Sequence, residues 1–338
     1  MILSSSTALE PTTIGHDDLA LPVMYQAQSR RLDIIAWAKE NRHQIDSMLA
    51  TYGGVLLRKY RVNGVAHFER FIEEVFGHPL LNYENRSTPR SVVRGRVYTS
   101  TEYPNNLSIP LHNENSYTRA WAKKIFFYCV RASDVGGETP IADSRKIFNL
   151  IPDEIKNRFD RHGLLYVRNY SGLDLPWQEV FNTNQKSEVE AYCAQNKIDC
   201  EWVSDDHLRT KQHCQSILRH PETAEWVWFN QAHLFHISNL GSDLKRSLLD
   251  SFAKEDLPRN VYLGDGSEID EADLNTIRSI YQAQTVKFQW QSGDILLLDN
   301  MLCAHGRSPY EGQRKVVVGM IEAHKNESYK QLFQTKAV

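Results

Sequence analysis

Two short segments of the 338-residue chain, far apart in sequence, constrain its fold more than any local pattern does. The first is Ile109-Pro110-Leu111-His112-Asn113-Glu114-Asn115-Ser116-Tyr117, in which a histidine and a carboxylate stand two positions apart between β-like stretches. Side chains at i and i+2 of a strand share a face, so one rigid element can aim both at one metal ion. The second is Gly293-Asp294-Ile295-Leu296-Leu297-Leu298-Asp299-Asn300-Met301-Leu302-Cys303-Ala304-His305-Gly306, a turn and a buried strand with a histidine beyond its end. A second histidine completes a 2-His-1-carboxylate triad, which leaves three positions of an octahedral Fe(II) open. If His112, Glu114 and His305 serve one metal, the chain between the two histidines, which stand 193 positions apart, must fold around a single site.

His-x-Asp/Glu is short enough that a chain with 13 histidines should hold about one or two by chance, and this one holds three. His16-Asp17-Asp18 lies in a polar N-terminal stretch, residues 1–28, read as a strap with no scaffold to hold a ligand. His220-Pro221-Glu222 has a proline at its centre, which marks a turn or sheet edge. Context therefore selects His112-Asn113-Glu114. Nine residues after His305, Arg314 opens the apolar run Lys315-Val316-Val317-Val318. Its planar fork suits a carboxylate, such as the far end of a diacid that chelates iron through a 2-oxo-carboxylate.

The surrounding pattern fits such a site. From about residue 91, β-like segments at 91–99, 122–131, 164–170, 225–229, 285–290, 295–298 and 315–321 are punctuated by Gly, Pro, Asn and Asp. Helical patterns fall at 30–49, 66–76, 145–161, 185–197, 243–254 and 271–282. No repeat or linker interrupts residues 29–338, which read as one domain. A net charge of −3 argues against nucleic acid or an anionic membrane as partner, and no apolar run approaches the roughly 20 residues of a membrane span. Five cysteines without a C-x-x-C pair argue against disulfides or a thiolate zinc site. With no secretory signal in the N-terminal residues, a cytoplasmic setting is expected. Gly264-Asp265-Gly266 reads as a turn, and His233 and His236 as packing or substrate-contact residues.

His112-Asn113-Glu114, then Gly136-Gly137-Glu138-Thr139-Pro140, then His305 and Arg314 closely resemble the TauD/TfdA family of Fe(II)/2-oxoglutarate-dependent dioxygenases. The run Phe229–His236 and the pair Arg307/Arg314 are similar to its SyrP-type amino-acid hydroxylase branch from natural-product pathways. The resemblance implies an α+β chain, mainly β: a double-stranded β-helix (jelly roll, cupin-like) with buttressing helices and a lid insertion at about residues 171–222. It implies Fe(II), 2-oxoglutarate and O2 as cofactors, with Thr139 and Arg314 on 2-oxoglutarate. The implied reaction is hydroxylation of an unactivated C–H of an amino acid or amino-acid-derived metabolite, with release of succinate and CO2. Desaturation or cyclisation, or a substrate tethered to a carrier protein, are the alternatives; a metal-bound jelly roll that merely binds a small acid is the non-enzyme one. Where sulfonate-cleaving members carry aspartate and a later arginine, this chain has Glu114 and Val318. Halogenases replace the carboxylate ligand, which Glu114 retains. Asn115, Ser116, Tyr117, Arg168 and Asn230, at the ends of β-like segments, are the candidate substrate contacts, together with Asn169 and Gln231 beside the last two.

Overall fold

A computed structural model describes residues 10–15, 19–82, 90–100 and 103–327; the His16-Asp17-Asp18 motif lies outside them. Its largest element is an eight-stranded sheet, in the order Thr12–Thr13, Val23–Gln26, Gly54–Arg58, Ile295–Asp299, Ala120–Arg131, Lys315–Lys325, Val97–Thr99, Val92–Arg94. All its pairs are antiparallel except Val23–Gln26 with Gly54–Arg58, so the N-terminal segment is built into the sheet through both Thr12–Thr13 and Val23–Gln26. The run Ile125–Val130 is continuously apolar because this sheet is covered on both faces. Phe126, Tyr128, Leu297 and Val317 point to a layer of helices, Ile34–Glu40, Arg42–Tyr52 and Gly64–Phe76, while Phe127, Cys129, Leu298 and Val318 point to a second core.

That second core lies between the large sheet and a smaller one in the order Ile109–His112, Cys303–Arg307, Ile141–Asp143. Val286 extends it by one bridge to Ile141. Two facing antiparallel sheets of this kind make a jelly roll, and the second sheet carries both histidines of the triad. Between Asp143 and Val286 the chain leaves the roll to build a four-stranded sheet, Asp199–Trp202, Leu208–Cys214, Leu164–Tyr170, Arg259–Leu263, packed with Ser144–Leu150, Asp153–His162, Ala232–Phe235 and Glu271–Ala283. Among the described residues, no helix is long and apolar enough to cross a membrane.

Several local expectations change. The pattern at 145–161 is two helices, because Ile151 before Pro152 is held extended at φ −66°, ψ 132°. The pattern at 30–49 likewise breaks at Asn41. The segment 285–290 buries Val286, Phe288 and Trp290 as its alternation implies, yet only Val286 pairs its backbone with another strand. The expected lid at 171–222 is not self-contained: Leu208–Cys214 pairs along its whole length with Leu164–Tyr170.

Candidate metal centre

His112 and His305 are direct partners in the antiparallel pair of Ile109–His112 with Cys303–Arg307. Gly306 lets the strands close: a Cβ there would lie 2.5 Å from the Ile109 carbonyl oxygen. Glu114 does not share the strand of His112, as the i, i+2 reading supposed; the strand ends at His112 and Glu114 begins a turn. The turn still brings the carboxylate in, and one potential ligand atom from each of the three residues lies within 4.8 Å of the others. His305 Nε2 is 3.7 Å from Glu114 Oε2.

The protonation states suit a cation. His112 Nδ1 lies 2.9 Å from the Pro110 carbonyl oxygen, which can only accept, so Nδ1 carries the proton and Nε2 keeps its lone pair. Burial and the nearby His305 push the His112 imidazole down to about 4, against the opposing pull of Glu114, so it is neutral at pH 7. Burial alone would raise the Glu114 carboxyl, but Arg90 and His305 outweigh it and hold the group well below the usual carboxylate range. Arg90 Nη2 donates to Glu114 Oε2 at 2.7 Å, with both side chains under 5% exposed. Arg90 is absent from the sequence reading, because no motif marks it and its burial is a tertiary fact.

Two cavities meet at the triad. The first runs from His112 and His305 past Phe127 to Thr139, Ser100 and Arg314. Arg314 Nε donates to the Gly137 carbonyl at 2.8 Å and Nη1 to Ser100 Oγ at 3.2 Å; Nη2 makes no hydrogen bond among the described residues. Burial and neighbouring Arg307 push the guanidinium down to about 10, which leaves it cationic at neutral pH. Gly137 is needed at φ 71°: a Cβ would meet Ser133 Oγ at 2.3 Å and the Arg314 side chain at 3.0 Å. The indole N–H of Trp290 donates to Thr139 Oγ1 at 3.1 Å, so the threonine hydroxyl proton can be given to a ligand oxygen. Arg307 spends its Nη donors on the carbonyls of Tyr103, Pro104 and Leu107.

The second cavity, about 140 Å³, opens from His112 and Glu114 toward Tyr103, Gln231, Leu234, Phe235 and Arg259. Arg90, Ile109 and His112 line both cavities. None of the residues lining either cavity comes from 171–222; residues 231–239 and Arg259 form the wall expected there. The candidate substrate contacts, all but Gln231, also lie elsewhere. Asn115, at φ 55°, lines a separate cavity beside Trp121. Ser116 Oγ donates to the Asn113 carbonyl, Tyr117 packs on Phe235 with ring centroids 4.9 Å apart, and Arg168 lies over the Tyr170 ring. Asn230 donates to the Ser216 carbonyl and accepts from the Ala232 N–H. Its neighbour Gln231 reaches the cavity instead. His233 is structural: its Nε2–H donates to the Leu111 carbonyl at 2.9 Å and braces the His112 strand from behind. His220 spends Nε2 on Asp299 and Nδ1 on two backbone N–H groups.

The family model for taurine catabolism dioxygenase TauD, TfdA family, matches residues 18–320. The chain belongs to the TauD/TfdA family. As a TauD/TfdA dioxygenase it is similar to DdaC, a dapdiamide synthesis protein of Enterobacter agglomerans, at 43% identity over 83% of this chain and 86% of that one. A clavaminate synthase-like protein of Arabidopsis thaliana is 31% identical over 83% of this chain and 85% of its own length. Among solved structures the TauD/TfdA fold recurs in PvcB, described as an Fe, alpha-ketoglutarate dependent oxygenase from an isonitrile synthetic pathway (TM-score 0.54, 13% identity, 97% of both chains). It recurs also in a taurine dioxygenase from Burkholderia xenovorans (TM-score 0.52, 16% identity, 93% of this chain and 89% of that one). At these identities the two structures speak to the fold alone.

Proposed function

We propose that this TauD/TfdA protein is an Fe(II)- and 2-oxoglutarate-dependent dioxygenase that hydroxylates an unactivated C–H of an amino acid or amino-acid-derived metabolite. The observation that carries the reading is the meeting of two cavities at one His-Glu-His cluster, one of them ending on the half-buried Arg314. Two imidazoles and one carboxylate match the donor set of non-heme Fe(II) oxygenases. His112, Glu114 and His305 would hold the iron; Arg314 and Thr139 would hold 2-oxoglutarate, the first through its Nη2, which makes no hydrogen bond among the described residues, and the second through its hydroxyl proton. Bound Fe(II) supplies the reduction of O2, coupled to oxidative decarboxylation, so that substrate R–H, 2-oxoglutarate and O2 give R–OH, succinate and CO2.

The chain's own residues orient and shield this chemistry. Ile109 and Phe127 wall the cofactor side, with the Phe127 ring 5.1 Å from that of His305, and Leu234 and Phe235 wall the substrate side. An apolar wall keeps water from a reactive oxidant, while the position of the bound C–H decides which bond reacts. Gln231, alone of the candidates named from sequence, and Arg259 offer the substrate polar contacts. DdaC, at 43% identity, is a dapdiamide synthesis protein, which supports a metabolite of specialised metabolism as substrate. All five cysteines are free, which supports work in the reducing cytoplasm.

Anaerobic addition of Fe(II) and 2-oxoglutarate should raise a visible charge-transfer absorption, and a screen of amino acids under air should find one that drives stoichiometric succinate release and gains one oxygen atom. Absence of both the absorption and substrate-dependent succinate would overturn the reading.

A further inference from the structure

Glu114 sits beyond the strand that carries His112, outside the ladder that pairs that strand with Cys303–Arg307. Buried main-chain groups need partners, and one side chain supplies those of the Glu114 N–H and C=O. Asn300 Oδ1 accepts from the Glu114 N–H at 2.7 Å, and Asn300 Nδ2 donates to the Glu114 carbonyl at 2.9 Å and to the Ala122 carbonyl at 2.9 Å. In return, Asn113 Nδ2 donates to the Asn300 main-chain carbonyl at 2.6 Å. Asn113 and Asn300 are both 0% exposed. The carboxamide of Asn300 thus does for Glu114 what the Cys303–Arg307 strand does for His112.

The base of this clamp is itself fixed. Asp299 Oδ1 accepts from the Met301 and Leu302 N–H groups, and Asp299 Oδ2 lies 3.1 Å from His220 Nε2. That turn leads directly into the strand bearing His305, five residues after Asn300. One carboxamide therefore ties the carboxylate of the triad to the segment that delivers the distal histidine, 191 positions further on.

We propose that Asn300 is a positioning residue that sets the place of the Glu114 carboxylate relative to His305; this rests on the reading of His112, Glu114 and His305 as metal ligands. Asn300 lines neither cavity, and both of its amide hydrogens are committed to the carbonyls of Glu114 and Ala122. A partner that orients a ligand typically costs about 10–100-fold in metal affinity when removed.

The test is a double-mutant cycle on the full chain with Co(II) as the probe, followed by its visible absorption: wild type, Asn300→Ala, Glu114→Ala and the double variant. Asn300→Ala should weaken Co(II) binding about 10–100-fold and shift the saturated spectrum toward that of Glu114→Ala. In the Glu114→Ala background the same change should cost nothing further, because its effect passes through the missing carboxylate. An equal loss in both backgrounds, or unchanged affinity and spectrum in the single variant, would reduce Asn300 to a general structural role and overturn the proposal. Should Asn300→Ala fail to fold, Asn300→Asp keeps the size and the acceptor for the Glu114 N–H while removing the donor, and the same cycle decides. If wild type binds no Co(II), or Glu114→Ala binds it as well as wild type, the ligand assignment fails first and the role of Asn300 falls with it.

Discussion

The imidazoles of His112 and His305 face each other across paired strands, as direct register partners with ring centroids 4.6 Å apart. The backbone ladder therefore sets their separation, and no metal is needed to bring the two rings together. His305→Ala should abolish Fe(II) or Co(II) binding, measured by titration calorimetry. The metal-free fold should lose only the roughly 1–3 kcal/mol typical of one buried truncation, read as a modest fall in Tm. Stoichiometric metal binding by His305→Ala would remove this histidine from the site.

The convergence of His112, His305 and Glu114 was legible in the sequence because ligand chemistry restricts residue types, although His305, expected at the exit of a strand, lies in the middle of Cys303–Arg307. The route by which Glu114 arrives was not. Its alternation with His112 implied a shared strand face, whereas the chain turns at Glu114 and leans on Asn300. Arg90 stands 24 positions before Glu114, and only the folded chain shows the two in contact. The segment 285–290 shows the same limit differently: alternation of Val286, Phe288 and Trp290 correctly records which side chains enter the core, but backbone pairing depends on what lies alongside. The substrate wall was largely misplaced for a related reason. A polar residue at a strand end, such as Arg168 or Asn230, is a natural candidate to face a cavity, but each of these two serves a neighbour in the four-stranded unit or the adjoining turns.

Arg314 lies at the end of the first cavity away from the histidines, so its loss should act on the cosubstrate and not on the metal. A charge-assisted hydrogen bond contributes about 1.5–3 kcal/mol, which is roughly a 10–150-fold change in an equilibrium constant. Arg314→Ala should raise the KM for 2-oxoglutarate by about that factor and leave Fe(II) affinity as in wild type. Arg314→Lys, which keeps the charge but not the planar fork, should fall between them. An unchanged cosubstrate KM in Arg314→Ala would show that some other cation holds the diacid.

The pairing of Arg90 with Glu114 predicts a stability difference that depends on metal. Taking the partner from a buried charge costs about 3–5 kcal/mol, and both of these side chains are buried. Arg90→Met should therefore lower the Tm of the metal-free protein by several degrees. A divalent cation gives Glu114 a new counter-charge, so saturation with Co(II) should recover most of the loss. The sign follows from the carboxyl itself: Arg90 helps hold it below the usual range, and without that neighbour burial favours the protonated form. Equal destabilisation with and without metal would mean that Arg90 acts on the fold and not on the carboxylate.

The separation of the two cavities predicts that the substrate side can be filled without touching the cosubstrate side. Leu234 is half-buried and lines only the second cavity. Leu234→Trp should occupy space there, and because Leu234 is not fully packed, the added ring can enter the cavity without displacing the core. The expected result is a substrate KM raised at least about tenfold, equivalent to about 1.4 kcal/mol. The charge-transfer absorption with Fe(II) and 2-oxoglutarate should keep its wild-type intensity and midpoint. Since Arg90, Ile109 and His112 are common to both cavities, only a perturbation that reaches these three should move both constants together. If Leu234→Trp weakens 2-oxoglutarate as much as substrate, the two spaces form one continuous binding site and the division of labour between Arg314 and Gln231 must be redrawn.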